Sequence, residues 1–156
     1  MPKLKEGVQA PVFDLPSSAG KNISLAEFKG AKKVVLYFYP KDDTPGCTVE
    51  ACGFRDKIRP IENADAVVLG VSPDGEKAHK KFIEKFKLPF VLLSDEDKKV
   101  CKAYGVWVKK TMYGKEYMGV ARTTFVIGKD GKIEKIFEKV KPDGHNAEVL
   151  GVLREA

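Results

Sequence analysis

The sequence predicts an α/β fold, a three-layer α/β/α sandwich with a mixed central sheet. Two observations lead to this prediction. Apolar runs of strand length alternate with stretches of helical periodicity, an order that favours parallel strands covered by helices on both faces. Nearer the C-terminus, Thr123–Ile127 and residues 132–137 flank the tight-turn sequence Lys129-Asp130-Gly131, which indicates a hairpin and adds antiparallel strands to the sheet.

The first predicted elements are a short hairpin and a central strand. Residues 12–15 and 23–25 can pair around Gly20. The continuous apolar run at residues 34–39, which ends at Pro40, is typical of a strand that is buried on both faces.

Helices and strands then alternate along the chain. Apolar residues fall on one helical stripe from residue 47 to about residue 61. A buried strand at Ala66–Ser72 follows. The remaining elements are a helix at residues 76–87, a strand at 90–93, a helix at 95–104, the C-terminal hairpin and a helix at 146–155. This order is thioredoxin-like, and the length suits a single domain spanning residues 1–156.

Composition and charge limit the classes of partner. The chain has 156 residues, of which 43% are hydrophobic, and a formal net charge of +6. Its lysines are scattered in ones and twos without a nucleic-acid-binding motif, so a solvated surface is favoured over a nucleic-acid interface. No apolar run approaches the ~20 residues that cross a bilayer, and the first residues show no signal-peptide pattern. We therefore expect a cytoplasmic protein that binds neither nucleic acid nor membranes.

Residues 39–56, YPKDDTPGCTVEACGFRD, carry most of the functional information. Thr44 can cap a helix and Pro45 can be its first residue, which puts Cys47 at the third helical position. Backbone N–H groups lack partners there and the helix macrodipole is positive, so the reactive thiolate is favoured over the thiol. Such a thiolate can attack a peroxide oxygen, a disulfide sulfur or a carbonyl carbon.

A second cysteine, Cys52, favours a peroxide among these possible targets of the thiolate. Attack of Cys47 on a peroxide leaves a sulfenic acid, which condenses with a nearby thiol to a disulfide. In an intact helix, Cα atoms five residues apart are separated by roughly 8–9 Å, whereas a disulfide needs about 7 Å or less. Cys52 can therefore resolve the sulfenic acid only if the helix unwinds, which Gly46 and Gly53 would ease. The alternative for Cys52 is ordinary packing.

Three further residues could take part in metal or thiol chemistry, namely Cys101, His79 and His145. A zinc site with the cysteine pair would need ligands from among them, but their spacing matches no zinc-finger pattern, and we expect no metal. Cys101 is expected to pack in its helix or to be a spare thiol, with a second resolving cysteine as the alternative. His79 is expected to be solvated, and His145 to lie on the surface or to cap a helix.

The pattern P-x-x-x-T-x-x-C, formed by Pro40, Thr44 and Cys47, resembles the active-site sequence of the peroxiredoxins. With Cys52 five residues further on, the run resembles the bacterioferritin comigratory protein subgroup, also called peroxiredoxin Q. The resemblance continues through VLGVSPD, KAYGVW and RTTFVI and spans almost the entire chain. It implies a thiol peroxidase that reduces hydrogen peroxide and organic hydroperoxides, with Cys47 peroxidatic and Cys52 resolving.

The resemblance also implies partners and further site residues. Thioredoxin or a similar dithiol would reduce the disulfide, and no cofactor is needed. Because both cysteines lie in one chain, we expect a monomer, with a dimer as the alternative. Arg122 would favour the thiolate and donate hydrogen bonds to the peroxide, Thr44 would cap the helix and offer its hydroxyl, and Pro40 would shield the thiolate. Alternatively, Arg122 is a surface residue, Thr44 only caps the helix, and Pro40 only ends the strand.

Two other functions fit parts of the sequence. A thioredoxin-like disulfide oxidoreductase would need C-x-x-C, but Thr44 occupies the first position of that motif. A redox-switched binding or chaperone protein could use the unwinding of the helix as its signal. Peroxide turnover that is lost on Cys47→Ser distinguishes a peroxidase from both.

Overall fold

The computed structural model describes residues 4–155, which form nine strands and five α-helices. The strands are β1 (Asp14–Pro16), β2 (Asn22–Ser24), β3 (Lys33–Phe38), β4 (Ala66–Ser72), β5 (Val91–Ser94), β6 (Trp107–Met112), β7 (Lys115–Val120), β8 (Thr123–Ile127) and β9 (Ile133–Phe137). The helices are α1 (Pro45–Asp56), α2 (Ile58–Asn63), α3 (Glu76–Phe86), α4 (Lys99–Ala103) and α5 (His145–Glu155). Among these helices, none is long and apolar enough to cross a bilayer.

Strand β3 is the centre of a five-stranded mixed sheet with the order β5-β4-β3-β8-β9. It pairs in parallel with β4 and antiparallel with β8, while β5 and β9 form the two edges. Its side chains from Val34 to Phe38 are at most 1% exposed, because both neighbouring strands and both covering layers surround them. The predicted α/β sandwich with a mixed sheet is confirmed.

The alternating side chains of β3 divide the hydrophobic core in two. Leu36 and Phe38 pack against the β1–β2 hairpin and α4 on one face of the sheet. Val35 and Tyr37 pack against α1, α2, α3 and α5 on the other face. Cys47 belongs to this second core, so the helix with the proposed nucleophile lies on the more heavily covered face of the sheet.

Two predicted helices have different bounds in the structure. The helix predicted from residue 47 to about 61 is two helices, α1 and α2, which meet at Lys57 (φ −114°, ψ 15°). The helix predicted from residue 95 begins only at residue 99, after Lys98 with a positive φ of 63°. The Asp95 carboxylate accepts hydrogen bonds from the backbone N–H groups of Val100 and Cys101, at 3.2 and 2.7 Å. It therefore caps α4 from the preceding turn instead of entering the helix.

The sequence interpretation missed the β6–β7 hairpin, which forms a separate two-stranded sheet. Its register pairs Met112 with Lys115 and leaves a two-residue turn. Both turn residues, Tyr113 and Gly114, have positive φ values of 52° and 78°, the conformation of a tight hairpin turn. Because most of this hairpin is exposed, it lacks the buried apolar run by which the other strands were predicted.

Candidate active site

Cys47 lies in the first turn of α1, just beyond the carboxyl end of β3. Pro45 is the first helical residue, and Thr44 before it has an extended backbone (φ −102°, ψ 155°). The Thr48 N–H donates to the Thr44 carbonyl at 2.8 Å, so the preceding amides, including that of Cys47, have no intrahelical acceptor. Cys47 is a free thiol, 1% exposed, at the positive end of the helix.

Arg122, which precedes β8, lies against the same helical turn. A side-chain carbon added at Gly46 would come within 2.6 Å of Arg122 Nη2. Glycine at this position therefore leaves the space that the guanidinium occupies, next to Cys47 in the chain. The Arg122 side chain is 22% exposed, so its charge is only partly solvated and acts on its neighbours more strongly than a surface charge would.

The sequence interpretation also missed Glu50, a buried acid in this site. Glu50 is 1% exposed, and its Oε1 lies 3.4 Å from Arg122 Nη1 while its Oε2 has no hydrogen-bond partner among residues 4–155. Burial raises the pKa of Glu50 to about 7, against the opposing attraction of the Arg122 charge. The signal for it was present, because an acid three residues after Cys47 interrupts the otherwise apolar stripe of α1.

Thr44 and Pro40 lie in the loop between β3 and α1, and both are half-buried. The Thr44 backbone occupies the cap position, but its side chain makes no capping hydrogen bond. Its hydroxyl instead donates to the Lys41 carbonyl at 2.9 Å. Thr44 is therefore the N-cap residue, as predicted, but without the side-chain hydrogen bond of a threonine cap. With its hydrogen engaged, the hydroxyl can offer only its lone pairs to another group. Pro40 lies two residues after Phe38, the last residue of β3.

Cys52 lies within the continuous helix α1, half-buried and reduced. The helical geometry separates its Cα from that of Cys47 by roughly 8–9 Å, which is beyond disulfide reach. Near this point α1 is tied to α5, because Asn146 Nδ2 donates to the Gly53 carbonyl at 3.0 Å. A disulfide between the two cysteines thus requires at least the first turns of α1 to open.

A buried hydrogen-bond network anchors the loop that leads into α1. His79 is fully buried, and its Nδ1 lies 2.6 Å from Asp42 Oδ2. Its Nε2 donates to the Leu93 carbonyl at 2.9 Å. The Tyr39 hydroxyl donates to the other Asp42 oxygen at 2.5 Å, and the Asp42 N–H donates to Asp74 at 2.8 Å. The expectation of a solvated His79 is wrong, because the helix face that carries it packs against this loop.

Three side chains of this network are close enough together to hold a metal ion. One ligand atom each from Asp42, Asp74 and His79 lies within 4.8 Å of the others. Hydrogen bonds within the network already engage His79 Nδ1 and both Asp42 carboxylate oxygens. This arrangement explains the three side chains as a structural anchor for the loop.

The other two residues considered for metal or thiol chemistry are also buried. His145 begins α5, with Nε2 2.8 Å from Thr124 Oγ1 and Nδ1 3.2 Å from Glu148 Oε1. His145 is 1% exposed, so the predicted surface position is wrong, and burial lowers its pKa. Cys101 packs in the core on the opposite face of the sheet from Cys47. Burial, together with the nearby Asp95 carboxylate, raises the pKa of its thiol.

Comparison with known proteins identifies the relatives of this chain. The AhpC/TSA family model matches residues 7–136. A bcp-type peroxiredoxin from Coxiella burnetii is 55% identical over 150 residues, covering 96% of this chain and 99% of that protein. Peroxiredoxin Bcp of Bacillus subtilis is 49% identical over 149 residues, covering 96% of this chain and 94% of the relative.

Solved structures of peroxiredoxin Q and of a bacterioferritin comigratory protein have the same fold. A mutant of peroxiredoxin Q from Xylella fastidiosa superposes with a TM-score of 0.93 at 36% identity, covering 99% of this chain and 98% of that one. The bacterioferritin comigratory protein of Xanthomonas campestris, whose structures were determined to explain its alkyl peroxide reduction activity, gives a TM-score of 0.87 at 38% identity. That match covers 92% of this chain and 90% of the other.

Proposed function

The chain belongs to the AhpC/TSA family, in its Bcp and peroxiredoxin Q subgroup, and from this membership we propose that its thiol peroxidase activity resides in Cys47. The members of this subgroup are thiol-dependent peroxidases, and so is this protein. The observation that carries the assignment of Cys47 is its position in the first turn of α1, with the Arg122 guanidinium against the same turn. A thioredoxin-like disulfide oxidoreductase would need a C-x-x-C motif that ends at Cys47, but Thr44 occupies its first position.

In the first proposed step, the Cys47 thiolate attacks the terminal oxygen of a hydroperoxide. The O–O bond breaks, Cys47 becomes a sulfenic acid, and the leaving oxygen takes a proton to become an alcohol or water. Arg122 and the free amides of the helix start stabilise the negative charge that develops on the oxygens. Thr44 accepts a hydrogen bond from the peroxide O–H, since its own hydrogen is donated to Lys41. Pro40 keeps water from the thiolate.

In the second step, the thiol of Cys52 attacks the sulfenic sulfur, water leaves, and a disulfide forms. Because α1 holds the two cysteines too far apart, the step requires local unwinding of the helix. Hydrogen exchange should therefore show lower protection of residues 48–54 in the oxidised protein than in the reduced protein. Equal protection in both states would contradict the unwinding.

The substrates and partners of this cycle follow from the same scheme. We propose hydrogen peroxide and organic hydroperoxides as substrates, and thioredoxin or a similar dithiol as the reductant. Both cysteines come from one chain, so a monomer completes the cycle, and a dimer is the alternative. The cytoplasmic location expected from the sequence suits a cycle that depends on a dithiol reductant.

Peroxide consumption by the purified protein tests the assignment. Turnover of hydrogen peroxide and of an alkyl hydroperoxide is followed with thioredoxin, its reductase and NADPH. Cys47→Ser should abolish turnover, Cys52→Ser should stop recycling, and Cys101→Ser is the matched control that should retain activity. Mass spectrometry after peroxide treatment should show a Cys47–Cys52 link within one chain, with Cys101 free. Turnover that persists in Cys47→Ser would overturn the proposal.

A further inference from the structure

The peptide unit between Lys41 and Asp42 connects the site threonine to the loop that follows β4. Its carbonyl, that of Lys41, accepts the hydrogen bond of the Thr44 hydroxyl at 2.9 Å. Its N–H, that of Asp42, donates to Asp74 Oδ2 at 2.8 Å. This trans peptide is planar, and its C=O and N–H point in opposite directions. The hydrogen bond to Asp74 therefore also fixes the direction of the Lys41 carbonyl.

Asp74 is itself held in place as an acceptor for this peptide. It is half-buried between β4 and α3, at the edge of the sheet where the parallel strands β3 and β4 both end. The hydroxyl of the fully buried Ser72 donates to Asp74 Oδ2 at 2.7 Å and accepts from the Asp74 N–H at 3.1 Å. One hydroxyl thus joins the side chain and the backbone of Asp74, which leaves the carboxylate little freedom to turn.

The loop from Asp42 to Thr44 has a backbone conformation that needs support from outside. Asp43 has a φ of 55°, in the left-handed region that is unfavourable for residues other than glycine. Its exposed carboxylate lies 2.8 Å from Lys85 Nζ, and an exposed ion pair holds a loop only weakly. A strained backbone persists where the surrounding structure fixes it. The buried contacts of Asp42 described above supply this support.

We propose that Asp74 is a positioning residue of the peroxidase site, which directs the hydroxyl hydrogen of Thr44 through the planar Lys41–Asp42 peptide. While the Lys41 carbonyl holds that hydrogen, Thr44 Oγ1 has only lone pairs to offer to the hydroperoxide O–H. A carbonyl that turned away would release the hydrogen, and the donor of Thr44 would then compete with the donor of the substrate. The inference rests on the proposed roles of Cys47 and Thr44.

The rate at which hydrogen peroxide oxidises Cys47 tests the role of Asp74. It is measured by rapid mixing of the full chain carrying Cys52→Ser and Cys101→Ser, so that oxidation stops at the sulfenic acid, which mass spectrometry quantifies. Asp74→Ala should lower the rate about tenfold, the effect of losing one hydrogen bond in the transition state. Asp74→Asn removes the charge but keeps an acceptor for the Asp42 N–H, and its rate should stay within about threefold of the parent rate.

A double-mutant cycle with Thr44 separates positioning from a general disturbance of the structure. Thr44→Val removes the hydroxyl and should itself slow oxidation about tenfold. In the Thr44→Val protein, Asp74→Ala should change the rate less than about twofold, because the hydroxyl through which Asp74 acts is already absent. Asp43→Asn is the matched control. It removes a carboxylate beside Thr44, asparagine tolerates the positive φ, and the rate should be unchanged.

Three results would overturn the inference and leave Cys47 as the nucleophile. They are rate losses of Asp74→Ala and Thr44→Val that multiply in the double variant, an Asp74→Asn protein as slow as Asp74→Ala, and a Thr44→Val protein with the parent rate. Circular dichroism checks that each variant is folded. Where Asp74→Ala is not, Ser72→Ala, which frees the Asp74 carboxylate, replaces it in the cycle with the same expectation. A parent protein whose Cys47 ignores peroxide would instead overturn the proposed function.

Discussion

Glu50 offers the sharpest test of the electrostatics of this site. The buried carboxyl faces Arg122 through one oxygen, and its second oxygen has no partner among the described residues. Its pKa is raised from 4.5 to about 7, and burial is the larger cause. Glu50→Gln keeps the shape of the side chain and one acceptor for Arg122, but removes the titration.

The sign and size of the effect follow from proton linkage. The folded protein holds the Glu50 proton at pH values where the unfolded chain has already lost it, so stability falls as the pH rises from about 4.5 to about 7. Each unit of pKa shift is worth about 1.4 kcal/mol, so the raised pKa costs the folded protein about 3 kcal/mol once the acid is ionised in both states. The free energy of unfolding of Glu50→Gln minus that of the parent should therefore rise by about 3 kcal/mol between low pH and neutral-to-basic pH.

Urea denaturation of the reduced proteins at a series of pH values measures this difference. The quantity of interest is the change with pH in the difference between variant and parent, which removes the contributions of all other titrating groups. Glu62→Gln is the control, because Glu62 is exposed on α2 and its replacement should give a flat difference. A flat difference for Glu50→Gln as well would refute the interpretation of Glu50 as a buried acid with a raised pKa.

Three further substitutions test the contacts around α1. Gly46→Ala places a carbon 2.6 Å from Arg122 Nη2 and should slow the reaction with peroxide about tenfold or more by displacing the guanidinium; Gly151→Ala, where the added carbon meets no atom within 4 Å, should leave the rate unchanged. Asn146→Ala removes the hydrogen bond to the Gly53 carbonyl and should cost about 1 kcal/mol of stability. It should also speed formation of the Cys47–Cys52 disulfide in stopped-flow measurements, and an unchanged rate would show that the end of α1 does not open. His79→Ala removes the contact with Asp42 Oδ2 and the hydrogen bond to the Leu93 carbonyl, leaves both buried groups short of a partner, and should lower the free energy of unfolding by about 3 kcal/mol; a loss under about 1 kcal/mol would contradict the role of this network as an anchor.

The elements predicted well from the sequence are those whose signals are local. The strands Ala66–Ser72 and Thr123–Ile127 have the predicted bounds, because a strand buried on both faces is an unbroken apolar run that ends at turn residues. The start of α1 was also predicted from a local signal, because proline is favoured in the first turn of a helix. Pro45 therefore places Cys47 near the positive end of α1. The β6–β7 hairpin was missed, since most of its residues are exposed and its strands therefore need no apolar pattern.

The chain of amino acids alone was sufficient to predict the fold class, the family resemblance and the cysteine pair. These depend on residue order and on backbone preferences that act over a few positions. Whether a polar side chain is solvated or buried depends on which distant segment packs over it. Folding therefore decided the burial of His79, the raised pKa of Glu50 and the position of Arg122 against the first turn of α1. Each of these arises from long-range packing, which removes water from a charge and brings together groups that are far apart in sequence.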